Sequence, residues 1–91
     1  MYNNRSYFND ELHQESMALG RGRPPENKVV GIRIDEPAPD FAALARSFGV
    51  YGDGPIDDPS KVREALSKAA GYIRETGKPA LVDVICQRRR Y

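Results

Sequence analysis

Two adjacent carboxamides, Asn3 and Asn4, begin the stretch Asn3-Asn4-Arg5-Ser6-Tyr7 and are the side chains best suited to hold a hard cation. Their carbonyls are oxygen donors of the kind that Mg²⁺ and Ca²⁺ accept. Taken alone, the pair equally fits a polar turn or a chain end, because Asn tolerates turn geometry. Few other residues compete. His13 is the only histidine, so a histidine metal cluster is excluded, and it sits among Glu11, Gln14 and Glu15 as a surface residue would. Cys86, the only cysteine, lies at the end of an apolar run and reads as an inert small hydrophobe. Asp57 and Asp58 read as helix caps. Gly52-Asp53-Gly54 has the look of a metal-binding turn, but Pro55 follows and no strand ensues, so it reads as a plain turn. No spacing completes a catalytic constellation, and no catalytic residue is assigned.

The 91 residues suffice for one small domain, with a 40% hydrophobic and 30% charged composition ordinary for a soluble globular protein. A net charge of +1 gives no global field toward nucleic acid or membrane. The apolar runs are too short to cross a bilayer, no secretory h-region follows Met1, and a lone cysteine cannot form an internal disulfide; a cytoplasmic protein is expected. Two basic stretches stand out. Arg21-Gly22-Arg23-Pro24 matches the core of an AT-hook, and the alternative function is a small interaction module that lays Arg21 and Arg23 in an A·T-rich minor groove. With Glu26 close by and no flanking basic run, a solvated loop is the preferred reading. Arg88-Arg89-Arg90-Tyr91 reads as a solvated basic tail, residues 88–91, beyond a domain of residues 1–87.

Several elements must position these groups. Phe8, Leu12 and Leu19 give a thin stripe for a helix over residues 7–19, with Ser6 or Asn9 as N-cap and Gly20 as its stop. Asp10 and Glu11 suit the dipole at its start. Gly20 to Asn27 is a loop, and Val30, Ile32 and Ile34 alternate as in a short extended segment that Gly31 weakens. Phe41, Leu44, Ala45 and Phe48 follow the i, i+3, i+4, i+7 rule, with Pro39 and Asp40 at the start of the helix and Gly49 at its end. Val50-Tyr51 is a brief strand. Asp57 or Asp58 caps a helix with Pro59 in its first turn, the stripe Val62, Ala65, Leu66, Ala69, Ile73, and Gly77 as its stop. Ala80 to Cys86 is a nearly continuous apolar run of strand length, suited to a strand covered on both faces. Helix, strand, helix, strand is the rhythm of a doubly wound, mostly parallel α/β sheet.

The ordered series Pro39-Asp40-Phe41, Phe48-Gly49-Val50, the helix from Asp58 to Gly77 and Lys78-Pro79-Ala80-Leu81-Val82-Asp83-Val84 resembles one family. It is similar to the C-terminal part of the thiamine-diphosphate-binding domain of enzymes of the acetolactate synthase, benzoylformate decarboxylase and pyruvate decarboxylase type. That family carries an Asn-Asn pair upstream of these elements, where Asn3-Asn4 stands here, so the resemblance spans nearly the whole chain. It implies the C-terminal portion of a partial Rossmann-like fold and an origin in enzymes that cleave or form C–C bonds of 2-oxo acids or related acyl donors. It further implies cofactor-binding residues Asn3, Asn4, Ser6 and Tyr7. The Asn4 side-chain oxygen and the Ser6 main-chain oxygen would ligate Mg²⁺, and amides near Tyr7, opening a helix, would face the diphosphate.

The departures from the family pattern carry equal weight. Its metal motif begins with a Gly-Asp-Gly upstream of the Asn pair, and only Met1 and Tyr2 precede Asn3. Gly52-Asp53-Gly54 follows the pair and cannot replace it. The family's activating glutamate belongs to a separate domain, also absent. The expectation is a truncated C-terminal segment or a split subunit, inactive alone, that takes thiamine diphosphate and Mg²⁺ only when the other half of the site is supplied. A sheet lacking its earlier strands is expected to pair with a complementary chain, to self-associate, or to leave residues 1–36 partly disordered.

Overall fold

The computed structural model describes residues 1–88. In chain order these form β1 (Tyr2–Asn3), α1 (Phe8–Gly20), a 3-10 turn (Glu26–Val29), α2 (Phe41–Ser47), β2 (Tyr51–Ile56), α3 (Pro59–Thr76) and β3 (Ala80–Ile85). They divide into two units. Met1–Asn3 with Asp40–Cys86 make the first; Asn4–Pro39 with Gln87 and Arg88 make the second.

The first unit is an α/β layer structure. Its three strands lie in the order β1-β3-β2, and both pairings are parallel. α3 is the crossover that returns the chain from β2 to β3, as parallel neighbours require. Asp58 accepts hydrogen bonds from the Ser60 amide (3.0 Å) and hydroxyl (2.8 Å), Pro59 occupies the first turn, and Gly77 closes the helix in a left-handed conformation. α2 begins where Asp40 accepts from the Ala43 amide at 2.9 Å. It ends where Gly49 N–H donates to Arg46 and Val50 N–H to Ala45, the two bonds of a Schellman motif.

Strand alternation places the helices on opposite faces. Ile56, Val82, Ala65 and Ala69 form a buried cluster with Tyr51, Val62, Ala80 and Val84 packed around it, so α3 covers that face. Gly52, one residue on from Tyr51, turns the other way and lies directly against the main chain of Ala42, which is fully buried in α2. The contacts are made by alanines, so both helices approach the sheet closely. The stripe expected on α3 is only half covered: Leu66 is 52% and Ile73 44% exposed. On α2, Leu44 and Phe48 also face solvent. A sheet of three strands is too narrow to cover the full width of either apolar stripe.

One expectation is corrected here. Gly52-Asp53-Gly54-Pro55 is not a turn but the body of β2. Asp53 pairs with Val82 and Ile56 with Val84, so β2 carries one extra residue in that interval. Gly54 and Pro55 fill the bulge, and Pro55, which has no N–H to give a ladder, is tolerated there on an edge strand.

In the second unit, α1 buries Glu11 rather than a leucine, and Leu19 is 59% exposed. Neither Ser6 nor Asn9 caps it; Tyr7 is the N-cap residue and gives no side-chain bond. The helix runs through Gly20 and stops at Gly22: Gly22 N–H donates to Leu19 and Arg23 N–H to Ala18, a second Schellman motif. The expected strand over residues 29–34 is a turn, because Val29 ends the 3-10 segment and Ile32 N–H bonds back to Val29. Only Arg33 pairs, in an isolated antiparallel bridge with Ser6. Among the described residues, no helix is long and apolar enough to cross a membrane.

The Asp58 cap has a pH consequence. Its carboxyl is held below the ordinary 3.8, chiefly by the Ser60 hydroxyl and then by the Ser60 amide. A depressed folded-state value means that this contribution is complete above 3.8 and fades as pH falls through the folded value. Helix unfolding followed by circular dichroism on acidification is therefore expected to show less loss of stability in Asp58→Ala than in wild type, the variant starting lower.

Candidate functional site

Asn3 and Asn4 are chain neighbours with different tasks. In the first unit, Asn3 is 5% exposed and stands opposite Ile85 on β3. Its main-chain oxygen accepts from Cys86 N–H at 2.8 Å, and its Nδ2 donates to Asp83 Oδ2 at 3.3 Å. Asp83 is the largest fully buried side chain, and its Oδ1 has no hydrogen-bond partner among the described residues. The Asn3 carboxamide therefore works inside the sheet, as a donor to a buried carboxylate.

Asn4 to Ser6 form a tight loop in the second unit. Asn4 Oδ1 accepts from the Ser6 amide at 3.1 Å, an Asx-type turn, and Arg5 between them holds φ at +53°. One lone pair of Asn4 Oδ1 remains. The Ser6 carbonyl accepts no hydrogen bond among the described residues, because the bridge to Arg33 uses its neighbours instead: Tyr7 N–H donates to Ile32 O at 3.0 Å and Ile34 N–H to Arg5 O at 2.9 Å. The expectation named amides near Tyr7, and this pairing bears on which of them are open. The Tyr7 amide is committed to Ile32, and among the described residues the Phe8 and Asn9 amides at the start of α1 have no acceptor and no side-chain cap.

Two side-chain groups outside the sequence-derived set hold this loop. Glu11, 3% exposed, accepts from Arg33 Nη2 at 3.3 Å and, at the outer limit of a hydrogen bond, from Ser6 Oγ at 3.5 Å. Arg88 donates from Nε to the Asn4 carbonyl (3.3 Å) and from Nη2 to the Arg5 carbonyl (3.4 Å), and pairs with Asp35 at 2.8 Å. Sequence placed Arg88 in a solvated tail; it is a half-buried residue with three hydrogen bonds, and the rest of that tail, Arg89 to Tyr91, lies outside the described residues. Glu11 gave no sequence signal beyond suiting the helix dipole.

The remaining candidates are placed elsewhere. His13 is exposed, and Cys86 just beyond β3 is half-buried. Asp53 lies within β2. Arg21-Gly22-Arg23 is curled into the end of α1 by its Schellman bonds, not extended as a ribbon along a groove would be.

Compared with known families, residues 1–84 match the thiamine pyrophosphate enzyme, C-terminal TPP binding domain. The chain belongs to this family. The parallel sheet with helices on both faces agrees with that domain, and thiamine diphosphate is accordingly the cofactor its family binds. Neither the curated proteins nor the solved structures contain a match to the chain.

Proposed function

We propose that this TPP-binding segment supplies one half of the Mg²⁺ and diphosphate site of an enzyme of the acetolactate synthase, benzoylformate decarboxylase or pyruvate decarboxylase kind. Such an enzyme acts on 2-oxo acids or related acyl donors by making or breaking C–C bonds. The observation that carries the reading is the pair of open oxygens, Asn4 Oδ1 and Ser6 O, on one loop that leads directly into an uncapped helix N-terminus. Hard oxygen donors, one carboxamide and one backbone carbonyl, suit Mg²⁺. The free Phe8 and Asn9 amides, at the positive end of α1, suit the diphosphate. The residues therefore fit the group on its metal side.

When bound, thiamine diphosphate supplies the carbanion-stabilising chemistry. The chain's own residues would bind and orient it: Asn4 and Ser6 would hold the metal and the start of α1 the phosphates, while Asn3 works within the sheet. No Gly-Asp-Gly precedes Asn3 in this sequence. The family pattern adds a Gly-Asp-Gly half and an activating glutamate to these residues, and the completed site is the one expected to be active. The single cysteine supports a cytoplasmic setting.

The uncovered apolar faces support association. Leu44, Phe48, Leu66 and Ile73 are all 44% exposed or more, and β1 and β2 are open edges. Sedimentation of the chain alone is expected to give concentration-dependent dimers or larger species; a monomer at all concentrations would remove the self-association part of the reading.

The test of function is complementation. Mixed with a polypeptide carrying the Gly-Asp-Gly half, the chain is expected to gain saturable, Mg²⁺-dependent thiamine diphosphate binding that neither partner shows alone and that EDTA abolishes. A mixture that gains none rejects the split-site reading.

A further inference from the structure

We propose that Arg88, aimed by Asp35, is the positioning residue that fixes the geometry of the Asn4–Ser6 loop. The inference rests on the metal reading of that loop for its consequence, though not for its geometry. The two carbonyls that Arg88 grips, those of Asn4 and Arg5, belong to the peptide planes on either side of the Arg5 α-carbon. Fixing both planes fixes the backbone torsions between them. Those torsions are unusual: Arg5 is the one non-glycine residue with positive φ among the described residues, at +53°. A side chain in the left-handed region is disfavoured and persists only where its surroundings over-determine it. Here they do so twice, because the Arg5 carbonyl also accepts from Ile34 N–H at 2.9 Å.

The left-handed residue is what folds Asn4 Oδ1 over the Ser6 amide and leaves the Ser6 carbonyl open. Without the clasp, the Asn4 carbonyl loses its Arg88 donor and the peptide plane before Arg5 is held less firmly, which loosens the turn that sets Asn4 Oδ1 over the Ser6 amide. The 2.8 Å pair with Asp35 holds the guanidinium in place with a charge-assisted bond. Arginine is specifically required, because its planar fork reaches two carbonyls and a carboxylate at once, which a lysine ammonium on a flexible stem does not reproduce.

Two measurements test this. In the full chain alone, hydrogen exchange at the Ser6 amide, which donates to Asn4 Oδ1, reports the loop, and exchange at the Tyr7 amide, which donates to Ile32, reports the integrity of the same unit. Arg88→Ala and Arg88→Lys are each expected to speed Ser6 exchange about tenfold or more, with Tyr7 unchanged, and Asp35→Asn to have a smaller effect in the same direction. Ser6 protection equal to wild type in both Arg88 variants would overturn the proposal. In the complemented mixture, Arg88→Ala is expected to raise the Mg²⁺ concentration for half-maximal thiamine diphosphate binding by about tenfold or more. An unchanged Mg²⁺ requirement there would also overturn it. A wild-type mixture that binds nothing counts against the metal reading only, and the Ser6 exchange result then decides the role of Arg88.

Discussion

Replacing Asn4 with alanine in the complemented site is expected to weaken Mg²⁺-dependent thiamine diphosphate binding by about a hundredfold or more, because it removes the oxygen proposed to face the metal and the acceptor that organises the loop. Folding of the chain should change little, since Asn4 lies in a part-buried loop and its side-chain bond joins residues only two apart. Asn3→Ala is expected to behave in the opposite way. It removes the Nδ2 donor from Asp83, a fully buried carboxylate whose other oxygen already lacks a partner among the described residues, and the loss should be about 3 kcal/mol of stability. Calorimetric titration and thermal melting of the two variants side by side separate the roles. Equal effects on binding and on melting for both would show that the neighbours share one task.

An effect on the fold of similar size is expected from methyl groups added at Gly52 and Gly54. A Cβ on Gly52 would run into the Ala42 carbonyl oxygen, with the Ala42 carbonyl carbon at 3.1 Å, so α2 would have to lift from the sheet. At Gly54, φ is +129° and a Cβ would lie 2.6 Å from the Asp83 carbonyl oxygen on the neighbouring strand. In both cases the obstacle is main chain, which cannot swing aside as a side chain can. Gly52→Ala and Gly54→Ala should each cost about 3 kcal/mol, which for a domain of this size lowers the melting temperature by more than about 10 °C. Gly71→Ala is the control. It sits in α3 with nothing within 4 Å of a Cβ and should stabilise the helix by up to about 1 kcal/mol.

How much of this was legible in the sequence depends on how far each signal reaches. The second half of the chain reads well because its signals are local: Asp40 and Asp58 cap the helices they precede, and Gly49 and Gly77 end them within the same turn. The β2 strand was missed because Gly-Asp-Gly-Pro has the composition of a turn, and only pairing with β3 turns those residues into a bulged edge. The segment over residues 29–34 was missed for the converse reason: alternation suggested a strand, while bonds back to Asn27 and Val29 make a turn. At the candidate site, Asn4 and Ser6 were reachable from the family resemblance. What holds them was not. Arg88 lies 83 residues from Arg5, and nothing in a basic run says which arginine will turn inward. Glu11 looked like one more acid at a helix start, yet it is the buried one. That the Tyr7 amide itself donates to Ile32, distant in sequence, was not readable; the expectation named only amides near Tyr7.

On the proposed reading, Asn4 and Ser6 face the metal that carries the diphosphate. The most direct measurement is nuclear magnetic resonance of the isotopically labelled chain in the complemented mixture with thiamine diphosphate, as Mn²⁺ replaces Mg²⁺. Paramagnetic broadening falls steeply with distance from the ion. The expected result is that the Asn4 side chain and the Ser6 and Tyr7 backbone signals broaden first and together, while Asp53 and the residues of α3 remain sharp. Broadening that begins at Asp53 or elsewhere on the sheet, with Asn4 and Ser6 unaffected, would contradict the account.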